Sequence, residues 1–183
     1  MDTIHSLQID LFSHIATFGE KTPWADPFFV ALSYWFFYLV LGVVVVRLLY
    51  KIIQAKSIQE KKQSFKEAFV LLFSLVLTWM VVTLIKVLTA EPRPFEVIDN
   101  VRLLSPYIGG GDSFPSGHTA IAAALAGAIR PYHHRAGALL ILFALLVGIS
   151  RVYLGLHFPI DVFVGFLVGL LIADIVRRLA DML

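Results

Sequence analysis

Long apolar runs dominate this chain, and its polar residues gather at the boundaries between them. Five runs are long enough, or nearly so, to cross a bilayer: about residues 27–50, 65–90, 116–130, 135–154 and 159–176. The third is the shortest and is rich in Ala and Gly, with Ala120, Ala122, Ala123, Ala124, Ala126, Gly127 and Ala128. Such a helix packs closely inside a bundle instead of facing lipid. Gly165 and Gly169 form a G-x-x-x-G, a second close-packing signal with no chemical role of its own. Residues 4–18 carry Ile4, Leu7, Leu11, Ile15 and Phe18 at helical spacing, with Asp2, His5, Gln8 and Asp10 interspersed. That pattern predicts an amphipathic interfacial helix or a short first span; His5 and His14 read as polar-face residues.

The expected fold is therefore all-α: a multi-pass transmembrane helical bundle forming one domain over residues 1–183. Residues 1–26 form its interfacial or first-span segment. Composition agrees, since 58% of the residues are hydrophobic, 15% are charged and the mean hydropathy is +0.82. A soluble domain of 183 residues has too little interior to hide that much apolar surface. The chain has no cysteine, which excludes disulfides, thiolate catalysis and Cys-ligated metals. Residues 1–20 lack a basic leader and a small-residue cleavage site, so they are not expected to be a signal peptide. No nucleic-acid partner is expected.

Charge distribution supplies a topology. Residues 47–66 carry Arg47, Lys51, Lys56, Lys61, Lys62 and Lys66 against Glu60 alone. Residues 130–135 hold two arginines and two histidines, and Arg177 and Arg178 lie near the C-terminal end. If the five spans alternate, all three segments share one side, which the positive-inside rule makes cytoplasmic. The opposite side receives residues 19–26, residues 91–114 and the turn near Leu156. Residues 94–114, with Gly109-Gly110-Gly111, read either as a lid or as a simple exposed turn.

Three polar blocks fall on that opposite side: Lys86-x6-Arg93-Pro94, Pro115-Ser116-Gly117-His118 and Ser150-Arg151-x5-His157-x3-Asp161. Lys86, Arg93 and Arg151 are cations at membrane depth, where ionisable groups are costly and usually functional. Snorkelling explains many terminal lysines, but it explains Arg151 poorly, because a long apolar run precedes it. Two guanidinium forks and an ammonium match phosphate oxygens. Ser116 can cap the third helix, and Gly117 lets a backbone N–H approach an anion there. His118, in the first turn, can donate a proton toward that anion. With Pro159 in the first turn of the last helix, Asp161 can reach back to His157 and fix its tautomer. A buried structural His–Asp pair is the plain alternative; the second histidine and three cations on the same face favour chemistry.

The three blocks resemble the signature of the type 2 phosphatidic acid phosphatase (PAP2) family, whose membrane members remove phosphate from lipids. Every signature position matches over residues 86–161. The resemblance implies that His157 is the nucleophile, forming a phosphohistidine, and that Asp161 holds its ring. It implies that His118 protonates the leaving oxygen and then activates water. Lys86, Arg93 and Arg151, with the Ser116 hydroxyl and Gly117 backbone, would bind the phosphate. No metal or other cofactor is expected, because Asp161 is the one acidic residue of the set and is assigned to His157. The family usually has six spans, so residues 4–18 stand where the first would be.

The expected partner is a lipid phosphate in the bilayer, with undecaprenyl pyrophosphate favoured over phosphatidylglycerol phosphate or phosphatidic acid. Oligomeric state is not legible. Three other readings remain at this level: a lipid phosphotransferase using the same site, a non-enzymatic anion transporter, and a catalytically dead scaffold. Transport would spread its cations across the bilayer, whereas these gather at one face. Soluble vanadium haloperoxidases share the phosphate-site pattern, but their solubility does not fit this composition.

Overall fold

The computed structural model describes residues 2–104 and 112–182, with side chains from residue 7 onward. The glycine triplet at 109–111 and the side chains of Ile4 and His5 lie outside the described residues, and so does the lid reading.

Helix α1 (Asp2–Lys21) opens the chain. A short turn at Pro23–Ala25 leads into α2 (Asp26–Ala31), a π-helical turn at Leu32–Phe36 and α3 (Phe37–Gln54). These pieces run on as one apolar stretch, Pro23–Gln54. Then follow α4 (Ile58–Thr89), the single turn α5 (Pro94–Val97), α6 (Gly117–Ile129), α7 (His134–Tyr153) and α8 (Pro159–Asp181). No strand occurs among the described residues. Four helical stretches have the length and hydropathy to cross a membrane, and the shorter apolar helix α6 makes the fifth predicted element.

Two boundaries differ from the sequence reading. Helix α4 starts at Ile58, not near 65, because Ser57 and Glu60 build a capping box. The Ser57 hydroxyl accepts from the Glu60 N–H at 3.1 Å, and the Glu60 carboxylate accepts from the Ser57 N–H at 3.4 Å. The basic linker predicted over 47–66 therefore shrinks to residues 55–57, and most of its lysines sit on helix ends. Glu67, one residue past that window, is buried. It accepts from Lys51 Nζ at 2.6 Å and lies 3.4 Å from His133 Nε2.

Helix α6 is the hub. Its 13 residues rise about 20 Å, less than the roughly 30 Å hydrocarbon thickness. Ala120, Ala123, Ala124 and Ala126 are fully buried among α4, α7 and α8. The G-x-x-x-G of α8 makes its closest approach here. A Cβ on Gly169 would stand 2.1 Å from the Ala120 carbonyl oxygen, and one on Gly165 would stand 2.6 Å from that of Ser116. Backbone therefore packs on backbone, as the small-residue pattern predicts. Large apolar side chains such as Trp79, Leu84, Phe163 and Leu171 point outward, as lipid-facing positions require.

Helix α1 docks at one end of this bundle and does not run its length. Phe12 is buried, with its ring edge-on to Phe158 at 5.7 Å, and it clusters with Val152, Ile98 and Val162. Leu7, Leu11 and Phe18 stay exposed, and α1 is not among the four long apolar stretches. This position suits the interfacial alternative for residues 4–18. The same end is laced together by Asp26, whose carboxylate accepts from Tyr153 Oη at 2.8 Å and from Arg102.

Replacing Gly169 with Ala should lower stability by about 1–3 kcal/mol, because the new methyl has nowhere to go. Gly42→Ala, with nothing within 4 Å of the added Cβ, should be neutral or mildly stabilising. Thermal unfolding of the two variants in one detergent separates them; equal melting shifts would contradict the packing assigned to α6 and α8.

Candidate functional site

The C-terminal ends of α4 and α7 and the N-terminal ends of α6 and α8 meet at one end of the bundle; they and their flanking residues carry the predicted site residues, except Arg93, which caps α5. Each terminus is shaped by local sequence. Ala90 adopts a left-handed conformation (φ 49°) and closes α4 by donating to the Lys86 carbonyl at 2.9 Å. Gly155, at φ 77°, turns the chain sharply between α7 and α8. Pro159 begins α8, and the Asp161 carboxylate caps it by accepting from the Phe158 N–H at 2.8 Å.

Arg93, Arg151, His157 and Asp161 are all buried, at 6% exposure or less, and Lys86 is half-buried. His118 lies within electrostatic reach of Arg151, His157, Arg93 and Lys86. Three cations thus face a single carboxylate of the matched blocks, Asp161, in a poorly hydrated place. Uncompensated buried charge is costly. An arrangement of this kind is a site for an anion.

The cations are held in a way that leaves their charge available. Lys86 Nζ donates to the backbone carbonyls of Asp112 and of Ser113, the latter at 3.1 Å. Arg151 Nη1 donates to the Ser33 hydroxyl at 2.8 Å, and its guanidinium lies 5.5 Å from the centroid of the Tyr34 ring. Both are anchored by neutral groups. By contrast, Arg102 and Lys51 each pair with a carboxylate elsewhere. Arg93 Nη1 donates to the Leu156 carbonyl at 3.5 Å. The Nε of Arg151 and the Nε2 of His118 are buried with no hydrogen-bond partner among the described residues.

His157 Nδ1 lies 3.5 Å from Asp161 Oδ2. This is ion-pair distance but too long for a good hydrogen bond. The Nδ1 edge faces the carboxylate, so Nε2 is the nitrogen left for chemistry. Burial, reinforced by the charges of Arg151, Arg93 and Lys86, holds this imidazole well below its ordinary titration range, so it stays neutral. A neutral ring keeps the lone pair that a nucleophile requires.

Ser116 does not cap α6 with its side chain; its hydroxyl pairs with Thr119 Oγ1 at 2.9 Å. Its N–H instead donates to the Asp161 carbonyl at 2.9 Å, which ties the second block to the third. Gly117 opens α6, so the first N–H groups of that helix start at the site.

Sequence reasoning missed three residues. Ser33 and Tyr34 enter from the π-helical turn, and Tyr34 and Phe37 also flank the His118 ring at 6.2 and 5.0 Å. The π turn was the available signal, since such bulges cluster at functional sites, but apolar periodicity does not reveal it. Ser113 is fully buried beside Asp161 and His157. A cleft of about 400 Å³ reaches Ser113 and Asp161, lined by Gln8, Thr89 and Glu91 as well as by Ile9, Ile98 and Ile160.

The PAP2 superfamily model matches residues 67–183. Undecaprenyl-diphosphatase BcrC of Bacillus subtilis (strain 168) is 38% identical over 100 residues, covering 55% of this chain and 51% of that protein; the match thus spans about half the length of that relative. Bacitracin transport permease protein BcrC of Bacillus licheniformis is 30% identical over 173 residues, covering 91% of this chain and 77% of its own. The crystal structure of Aquifex aeolicus LpxE superposes with a TM-score of 0.73 at 32% identity, covering 94% of this chain and 95% of that one.

The geometry makes a prediction that needs no substrate. Inorganic phosphate should bind the purified chain, and Arg151→Ala should weaken that binding about 10-fold or more in calorimetric titrations. Arg102→Ala, at the same end but paired with Asp26, should leave it unchanged; equal losses in both variants would argue against an anion site at Arg151.

Proposed function

The chain belongs to the PAP2 superfamily, and we propose that it hydrolyses lipid phosphates through a phosphohistidine on His157. The observation that carries this reading is the meeting of a buried His157, a second histidine and three cations at one end of the bundle.

In the first step His157 Nε2 attacks phosphorus and the bond from phosphorus to the leaving oxygen breaks. His118 gives that oxygen a proton. Lys86, Arg93 and Arg151 neutralise the non-bridging oxygens, with the N-terminus of α6 adding backbone donors. In the second step His118 takes a proton from water as the water attacks the phosphohistidine. The nitrogen–phosphorus bond breaks, and inorganic phosphate leaves. Asp161 stabilises the positive charge that develops on the His157 ring. Phosphoryl transfer depends mainly on positioning and charge, and these residues supply both.

Undecaprenyl pyrophosphate is the substrate class we favour. The name of the B. subtilis relative supports it, as does a site at the membrane edge whose cleft has apolar walls. The name of the B. licheniformis relative raises transport, but the site cations gather at one end instead of lining a path. We place the site on the non-cytoplasmic face, because the basic segments 47–66, 130–135 and 177–178 occupy the other end.

His157→Ala and His118→Ala should each abolish phosphate release from undecaprenyl pyrophosphate in micelles while the chain inserts normally. EDTA should not inhibit. Wild-type rates in either variant would remove that residue from the mechanism, and EDTA inhibition reversed by a divalent ion would overturn a metal-independent reaction.

Because the chain has no native cysteine, its orientation can be read by labelling. A membrane-impermeant maleimide applied to intact cells should modify Glu20→Cys and spare Gln59→Cys. The reverse pattern would place the site on the cytoplasmic face.

A further inference from the structure

Ser113 belongs to none of the three blocks, yet it touches the first and third directly and lies just before the second. It is fully buried. Its hydroxyl donates to Asp161 Oδ2 at 2.5 Å, and the same oxygen lies 3.4 Å from His157 Nδ1. Its carbonyl accepts from Lys86 Nζ at 3.1 Å, and its N–H donates to the Glu91 carbonyl at 2.7 Å. The backbone of Ser113 is thus pinned on both sides, and its side chain has one orientation to fill.

The pair it serves needs help. Asp161 and His157 are 3.5 Å apart, so their own contact does not fix the carboxylate plane. Two donors hold Oδ2, the oxygen that faces the imidazole: the Phe158 N–H at 2.8 Å and the Ser113 hydroxyl. The first is part of the α8 cap and comes with the fold. The second is a side chain delivered from a different part of the chain. Two donors on one carboxylate oxygen keep that oxygen in place, and a hydroxyl that donates to it still offers a lone pair toward the imidazole N–H.

We propose that Ser113 is a positioning residue of the phosphatase reaction, aiming the Asp161 carboxylate and closing a three-membered Asp161–Ser113–His157 arrangement that fixes the tautomer of His157. This rests on the phosphatase reading above. Removing the hydroxyl leaves Lys86 on the backbone carbonyl and leaves Arg93 and Arg151 in place. The loss therefore falls on the chemical step and not on phosphate binding.

Initial rates of phosphate release from undecaprenyl pyrophosphate, with purified full-length chain in micelles, test this. Ser113→Ala should lower kcat about 10- to 100-fold, as expected for a lost hydrogen bond to a charged group, and leave KM within about twofold. Ser113→Thr keeps the hydroxyl and should stay within about fivefold of wild type. Unchanged kcat in Ser113→Ala would overturn the assignment; so would a loss confined to KM, or a Thr variant as impaired as the Ala variant. His157→Ala, measured alongside, separates the two levels. If it is inactive while Ser113→Ala is normal, the positioning role alone fails. If it retains wild-type release, the phosphatase site itself is misassigned and Ser113 falls with it.

Discussion

A cluster of three cations gathered at one end of a lipid-facing bundle is the constraint on which the rest of this structure depends. Lys86, Arg93 and Arg151 are brought together with Asp161 as the one carboxylate of the matched blocks. A fold that merely tolerated these cations would pair each with an acid, as it does for Arg102 with Asp26 and for Lys51 with Glu67. Here carbonyl and hydroxyl oxygens hold Lys86 and Arg151 instead. Neutral acceptors orient a cation without cancelling it. Cations held in this way stay available to an anion that enters the site.

Helix packing sets the distances within that site. The α8 glycines bring its backbone onto the first turns of α6, with Gly165 against Ser116 and Gly169 against Ala120. The Ser116 N–H reaches the Asp161 carbonyl across the same seam. The G-x-x-x-G, which has no chemistry of its own, therefore fixes how far His118 stands from His157. Thr119 and Gly148 do the same between α6 and α7.

The broad plan was legible because its signals are local. Length and hydropathy mark the apolar helices, small residues mark α6 as central, and the three blocks name the residues that converge. What escaped depends on register or on loop geometry. Ser33 and Tyr34 sit in an aromatic run that reads as plain apolar helix. Only the π turn, which shifts the helix face by one residue, directs them at Arg151 and His118. Ser113 lies in a loop with no periodicity to interpret. Ser116 occupies the capping position, but a nearby Thr119 hydroxyl competes for its side chain. The start of α4 was misjudged because its first turns are polar, and a capping box extends it beyond the apolar run.

The shortness of α6 has one more consequence. Thr119 stands level with Gly148, five residues inside the end of α7, and Ser116 with Gly165, six residues inside the start of α8. At 1.5 Å per residue, the N-cap of α6 lies about 9 Å along α8 from its first residue. The start of a short central helix is thus recessed beside α8, where Ser113 and Ser116 are fully buried. A phosphate bound at that depth would lose most of its hydration to the groups that hold it. Depth here is set by counting residues: one additional turn at the start of α6 would carry that end about 5.4 Å further along α8.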